Sequence, residues 1–408
     1  MSLYFVLTIL ISVSAIFAYI NHRYLKMPFV IGLFFLSTIL AIFFIVSKFW
    51  LSAPIAELKG LMAATNVSDF ILDILLGFLL FAGALHTDWA RLQVEFKKVT
   101  FFALVGVTLS TFIIAGLFYL LCTAFSFDIN FIYCLIFGAL ISPTDPIAVL
   151  GIMRQAGVPK KIETLIIGES LFNDGIGVVI FLALLKTATS VNGFSVSDFS
   201  ILFIQEAVGG VVFGLAAGWL LHRLIRKIDH YETEVFLSLA FVMAGYGIAN
   251  YFYLSGPLAM VVMGLLMGNY KSETTMSDVT HEYMLKFWEL MELVLNGILF
   301  TVIALLIAVI NFTAKEILIG IVSIFILLVA RIIIVFLPKL LFPRLLDFTN
   351  KEAKIIVWGG LRGGLSIALA LALPESEMKN LLLVTTYICV VFSILVQGLT
   401  VGKLANTK

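Results

Sequence analysis

The chain has 408 residues, 62% of them apolar and 12% charged, against roughly 25% charged residues in a soluble domain. That composition excludes an ordinary soluble enzyme and makes the bilayer the solvent. A net charge of +1 gives no grounds for a nucleic acid or an acidic polymer as partner.

A helix needs about 20 apolar residues to cross the hydrocarbon. On that requirement thirteen spans are expected, at 3–20, 28–49, 69–87, 99–125, 131–153, 163–187, 199–221, 234–252, 255–270, 284–310, 315–338, 353–373 and 380–400. The first lacks a basic leading segment and a small-residue cleavage signature, so it is expected to stay as a span rather than be removed as a signal peptide. The ninth, in GPLAMVVMGLLMGNY, is short. Cys122, Cys134 and Cys389 are odd in number and lie inside apolar runs, which suits packing and neither a disulfide framework nor a metal site. Nineteen Lys and Arg fall in segments after odd-numbered spans, five after even-numbered ones, and Arg331 and Arg362 lie within spans. Because cytoplasmic loops collect basic residues, the N-terminus is expected outside and the C-terminus in the cytoplasm.

Two spans are interrupted. In the fifth, LIFGALISPTDPIAVLGI, Pro143 and Pro146 cannot donate backbone hydrogen bonds, which frees the carbonyls of Ala139 and Ser142. In the twelfth, VWGGLRGGLSIALA, four glycines surround Arg362, and each weakens a helix by about 1 kcal/mol relative to Ala. Freed backbone at membrane depth survives only where protein, water or a bound ion satisfies it. The two breaks are seven spans apart, and an odd offset reverses orientation. An inverted repeat with a midplane site built from broken helices is therefore expected.

Charged side chains in mid-span are expensive and are candidates for function. Here they are Asp145, Glu169, Asp174 and Arg362. In GESLFNDG, Glu169 and Asn173 are four residues apart on a helix, as are Ser170 and Asp174, so the two pairs occupy adjoining faces. The set could serve only as glue between helices, but three acids against one base leave more carboxylate than packing requires. An acid paired with Arg362 would be structural, with Glu169 the expected member. Asp174 and Asp145 then remain for a cation. Hard cations take oxygen ligands, and Asp174, Ser170, the Thr144 hydroxyl or carbonyl, and Asp145 could supply them. A desolvated carboxylate lets protons compete with the metal ion, so one site alternately holding Na+ or H+ gives exchange.

ISPTDPIAVL, IIGESLFNDGIGVV and WGGLRGGLSIALAL, in that order, resemble the cation/proton antiporter-1 family, which includes the NhaP-type bacterial antiporters and the animal sodium/proton exchangers. The resemblance covers essentially the whole of 1–408. It implies an all-α, thirteen-helix, NhaA-like fold with crossed, broken fifth and twelfth spans, and a core-domain ion site within 131–187 and 353–373. It also implies a homodimer in the bacterial inner membrane, an elevator-type motion, and a role in pH and sodium homeostasis. Position by position, Asp174 is the ion-binding acid, Asn173 its neighbour, Thr144 and Asp145 the unwound pair, Ser170 a further ligand, and Glu169 with Arg362 the stabilising ion pair. The transported Na+ would be held by Asp174, Ser170 and Thr144, with no resident cofactor. The reading is a transporter rather than an enzyme, exchanging Na+, or Li+ or K+, for H+ one for one.

The chain departs from the family in the third span, LLFAGALHTDW, where Ala82 stands in place of an expected glutamate. No cytoplasmic regulatory domain is expected after the last span. Asp73 and Glu206, near span ends, are expected to snorkel to the interface. Glu289 and Glu292, three apart in the tenth span, could line an approach funnel or form an interfacial turn. Arg331, in LLVARIIIVF, has no partner evident in the sequence, and His22, His86, His222, His230 and His281 sit mostly at span ends. Two rival classes use the same residues. An intramembrane aspartyl protease would need YD and GxGD settings that Asp145 and Asp174 lack, and a cation channel would need a filter of serial carbonyls or a charged ring.

Overall fold

The computed structural model describes residues 3–47, 75–145, 147–189, 196–269, 278–310 and 312–406. Asp73 and Pro146 lie outside them. The described residues form helices α1 (Tyr4–Leu25), α2 (Phe29–Ser47), α3 (Leu76–Leu85), α4 (Trp89–Ala124), half-helices α5a (Phe131–Ile141) and α5b (Ile147–Gln155), and α6 (Lys160–Thr189). They continue as α7 (Val196–Ile225), α8 (Tyr231–Tyr251), α9 (Gly256–Asn269), α10 (Asp278–Val309), α11 (Ala314–Leu341), half-helices α12a (Asn350–Gly359) and α12b (Gly364–Leu371), and α13 (Glu377–Leu404). Nine of these described helices are long and apolar enough to cross a membrane, and α12a with α12b, bent by 41°, makes a tenth. Helices α3, α5a and α9 are apolar but shorter. The protein is a multi-pass membrane protein.

Helix ends follow local capping rather than the limits of the apolar runs. α4 starts at Trp89, well ahead of the expected 99, because the Asp88 carboxylate accepts the N–H groups of Ala90 (3.0 Å) and Arg91 (3.3 Å). The charged stretch that follows is helical although it is too polar for hydrocarbon. Reciprocal capping boxes, Thr313 with Glu316 and Thr349 with Glu352, start α11 and α12a.

The helices pack mainly within two groups, α1–α3 with α7–α10 and α4–α6 with α11–α13. Helix α6 is the most enclosed: 78% of its membrane-length window is buried against 11% for α1, which puts α6 at the centre and α1 at the edge. Turns on one face are tied together. Asn269 at the end of α9 donates to the Thr87 carbonyl (2.8 Å) and accepts from the Trp89 N–H (2.7 Å). Asp347, between α11 and α12a, bridges Lys98 (2.5 Å) and Lys161 (3.1 Å). At the other face Lys315 donates to the Ser126 carbonyl (3.0 Å), and Lys186 pairs with Glu206 (2.5 Å). Glu206 is thus buried in an ion pair instead of snorkelling to the interface as expected.

Candidate functional site

Two polar residues of α6, Asn173 and Ser170, hold the break in the fifth span. Asn173 clamps Thr144 at two points: its Oδ1 accepts the Thr144 N–H (3.2 Å) and its Nδ2 donates to the Thr144 hydroxyl (2.8 Å). One turn earlier the Ser170 hydroxyl donates to the Thr144 carbonyl. These bonds replace the helical ones that the Thr144 backbone forgoes, so the unwound segment of the fifth span is held by α6 at Thr144.

The two breaks lie against each other. The Asp145 N–H donates to the Leu361 carbonyl (2.8 Å), and the Arg362 N–H donates to the Ser393 hydroxyl (2.8 Å). The Arg362 guanidinium donates to the carbonyls of Ser142 and Pro143, the latter at 2.9 Å. Ser142 is the residue whose carbonyl a proline at 146 frees. Placing a cation there also answers the negative end of the α5a dipole. A Cβ at Gly363 would meet the Asp145 carboxylate, so the close approach of the two breaks requires glycine there.

The expected ion pair is corrected. Glu169 is bound by Arg331 of α11, both of whose guanidinium NH2 groups donate to its carboxylate, one at 2.9 Å. Arg331 also donates to the Ile356 carbonyl of α12a (3.2 Å), joining three helices. Arg362 is occupied instead with the α5a carbonyls, because its short break places it at the end of that half-helix, whereas Arg331 projects from an intact helix toward α6. Gly360 lies directly beneath the Arg331 guanidinium, and a Cβ there would stand 2.6 Å from Nε.

A cavity of about 180 Å³ runs between the two helix groups. Asp174, Ser170 and Asp145 line it from α6 and the fifth-span break; Leu79 and Gly83 face them from α3, and Glu292 and Asn296 from α10. His86 and Arg154, both exposed, mark its mouth, with Thr87 buried beside them, and Arg154 is paired with Glu163 (2.6 Å). The predicted ligand set therefore divides. Asp174, Ser170 and Asp145 reach the cavity, while Thr144, Asn173, Glu169 and Arg362 are buried behind it as its support. Ala82 is buried and is not part of the cavity wall. Among the described residues no three His, Cys, Asp or Glu side chains converge as they would around a resident metal ion.

A family model described as sodium/hydrogen exchanger, transmembrane, matches residues 11–407. The chain belongs to the sodium/hydrogen exchanger family. It is 42% identical over 404 residues to the Na(+)/H(+) antiporter NhaP of Pseudomonas aeruginosa, covering 97% of this chain and 95% of that one. It is 36% identical over 339 residues to the Na(+)/H(+) antiporter NhaH of Halobacillus dabanensis, covering 82% of each. Its fold is similar to that of the sodium proton antiporter MjNhaP1 of Methanocaldococcus jannaschii, with a TM-score of 0.79 over 99% of both chains at 21% identity. In this exchanger-family chain the sequence reading missed Asn296, a carboxamide in the apolar run LVLNGILF that the cavity wall now includes. Its spacing of four from Glu292 was the available signal.

Proposed function

We propose that the protein exchanges Na+ for H+ across a bacterial inner membrane, with Asp174 as the carboxylate at which the two ions exclude one another. The observation that carries this reading is the position of Asp174: it faces one cavity together with Ser170 and Asp145, beside the contact between the two broken helices. Ser170 and Asp145 add oxygen ligands, and Thr144 and Asn173 hold the segment that presents Asp145. Li+ and K+ are alternative cargoes for the same ligand types. Exchange is one for one and electroneutral, because Asn173 cannot titrate and Glu169 is committed to Arg331.

Three shorter apolar helices added to nine long ones and one bent pair bring the span count to thirteen in this reading, with inverted halves and crossed fifth and twelfth spans. The division of packing into two groups with the cavity between them supports an elevator-type motion of the α4–α6, α11–α13 core against the other group, which would form the homodimer contact. The basic residues at one set of turns support a cytoplasmic C-terminus, and the exchange would serve pH and sodium homeostasis.

The test is purified protein in liposomes carrying a pH-sensitive dye. Na+ should move only against a counter-moving proton, and an imposed membrane potential should not drive its accumulation; a diffusion potential would indicate a channel. Asp174→Asn should insert and melt like the wild type and carry nothing measurable. Proton-coupled Na+ transport by that variant removes Asp174 from the centre and moves the role to Asp145.

A further inference from the structure

Across the cavity from α6, the α10 wall presents Glu292 and Asn296, one helical turn apart. The exchange step above uses neither. Asn296 is 5% exposed, and its Nδ2 has no hydrogen-bond partner among the described residues although the side chain lines the cavity. A carboxamide unmatched in an apolar helix is destabilising, and such groups persist where water, an ion or a ligand completes them. Glu292, half-buried, faces the same space as Asp145 and Asp174. Glu292 comes from α10 and not from α6 or the broken fifth span, so it offers the cavity a carboxylate on a wall of its own.

We propose that Glu292 and Asn296 form a second cation position on the α10 wall, where Na+ still carrying part of its water is held before it passes to Asp174. The proposal rests on the exchange reading and adds a step to it. A carboxylate and a carboxamide oxygen suit a hard cation that keeps waters in its remaining positions. The amide can turn its oxygen to the ion while its NH2 group meets the Glu292 carboxylate or a bound water. Helices α10 and α6 belong to different packing groups, so the position faces Asp174 only while the cavity is open at His86 and Arg154. It therefore acts on cations arriving from that face and not on those arriving from the other.

The experiment compares Na+ transport by Glu292→Gln in inside-out and right-side-out vesicles, with Asp174→Asn run alongside. Removing one charge from a low-dielectric approach should raise the apparent KM for Na+ about tenfold from one face only, with the maximum rate within about twofold. Glu292→Asp should restore most of the affinity, and Asn296→Leu should raise KM about threefold from the same face, since it removes a neutral ligand rather than a charge. An unchanged KM from both faces, an equal rise from both, or a lost maximum rate at unchanged KM overturns the proposal. Should Glu292→Gln fail to fold, Glu292→Asp and Asn296→Leu carry the comparison, and wild-type KM in both overturns it. Transport by Asp174→Asn would sink the exchange reading instead, whatever the α10 variants do.

Discussion

The two broken helices solve one problem by opposite chemistry. The fifth span is interrupted at its prolines, which remove donors and leave carbonyls exposed; the twelfth is interrupted by glycines, which weaken the helix and let neighbouring groups approach its backbone. The first break supplies the carbonyls of Ser142 and Pro143 to the Arg362 guanidinium of the second, and the second returns the Leu361 carbonyl to the Asp145 N–H of the first. Each is completed in part by the other, with α6 and Ser393 satisfying the Thr144 backbone and the Arg362 N–H. The lesson is that a break in a membrane helix is legible as half of a pair, and its partner is the break of opposite hydrogen-bonding sense.

The largest expected effect tests whether Arg362 is free for this task. If Arg331 is the partner of Glu169, Arg331→Ala leaves a buried carboxylate uncompensated and should destabilise the protein by about 3–5 kcal/mol, read as thermal unfolding in detergent. Glu169→Leu with Arg331→Leu should recover much of that loss, while Glu169→Leu with Arg362→Leu should not. The reverse result would make Arg362 the ion-pair partner and end the division of labour between the breaks. Next comes Arg362→Ala, which strips two carbonyls of a charged donor and should destabilise by about 2–4 kcal/mol and abolish exchange; Arg362→Lys keeps the charge without the planar guanidinium and should fall between. Gly363→Ala sharpens the comparison from the other side. Its Cβ collides with the Asp145 carboxylate, so about 1–3 kcal/mol and a weaker apparent Na+ affinity are expected in the same dye assay.

The smallest effect is a rim control. Hydrogen bonds from Lys98 and Lys161 hold the Asp347 carboxyl down from 3.8 to about 2, so its contribution is present above the ordinary carboxylate range and is lost as the pH falls from about 4 toward 2. The side chain is 56% exposed, and solvent screening keeps the contribution under about 1 kcal/mol. Asp347→Asn should remove that part of the acid destabilisation and leave the melting temperature at pH 7 within a few degrees.

Both breaks and the residues between them were legible because proline, glycine and charge stand out against an apolar background. Ser170, Asp174 and Asp145 could be placed at membrane depth from spacing and hydropathy alone. The partner of Glu169 could not. Arg331 and Arg362 both lie in apolar runs, and which one meets α6 depends on how α11 is rotated about its axis, which its nearly uniform run of aliphatic residues does not encode. For the same reason the sequence reading stopped at the hydrocarbon boundary of α4 and passed over Asn296, whose meaning comes from a neighbour across a cavity rather than from its own surroundings.

The clamp on Thr144 also fixes the sense of the wall that an ion meets. Ser170 has one hydroxyl hydrogen, and it is spent on the Thr144 carbonyl; the Thr144 N–H is spent on Asn173, an Asn173 amide hydrogen on the Thr144 hydroxyl, and one terminal nitrogen of Arg362 on two carbonyls. What Ser170 can still offer the cavity is lone pairs. On the α6 side, then, Ser170 and the ionised Asp174 present oxygen acceptors to the cavity, which suits a cation and disfavours an anion such as chloride, so discrimination by the sign of charge follows from where the hydrogens already point.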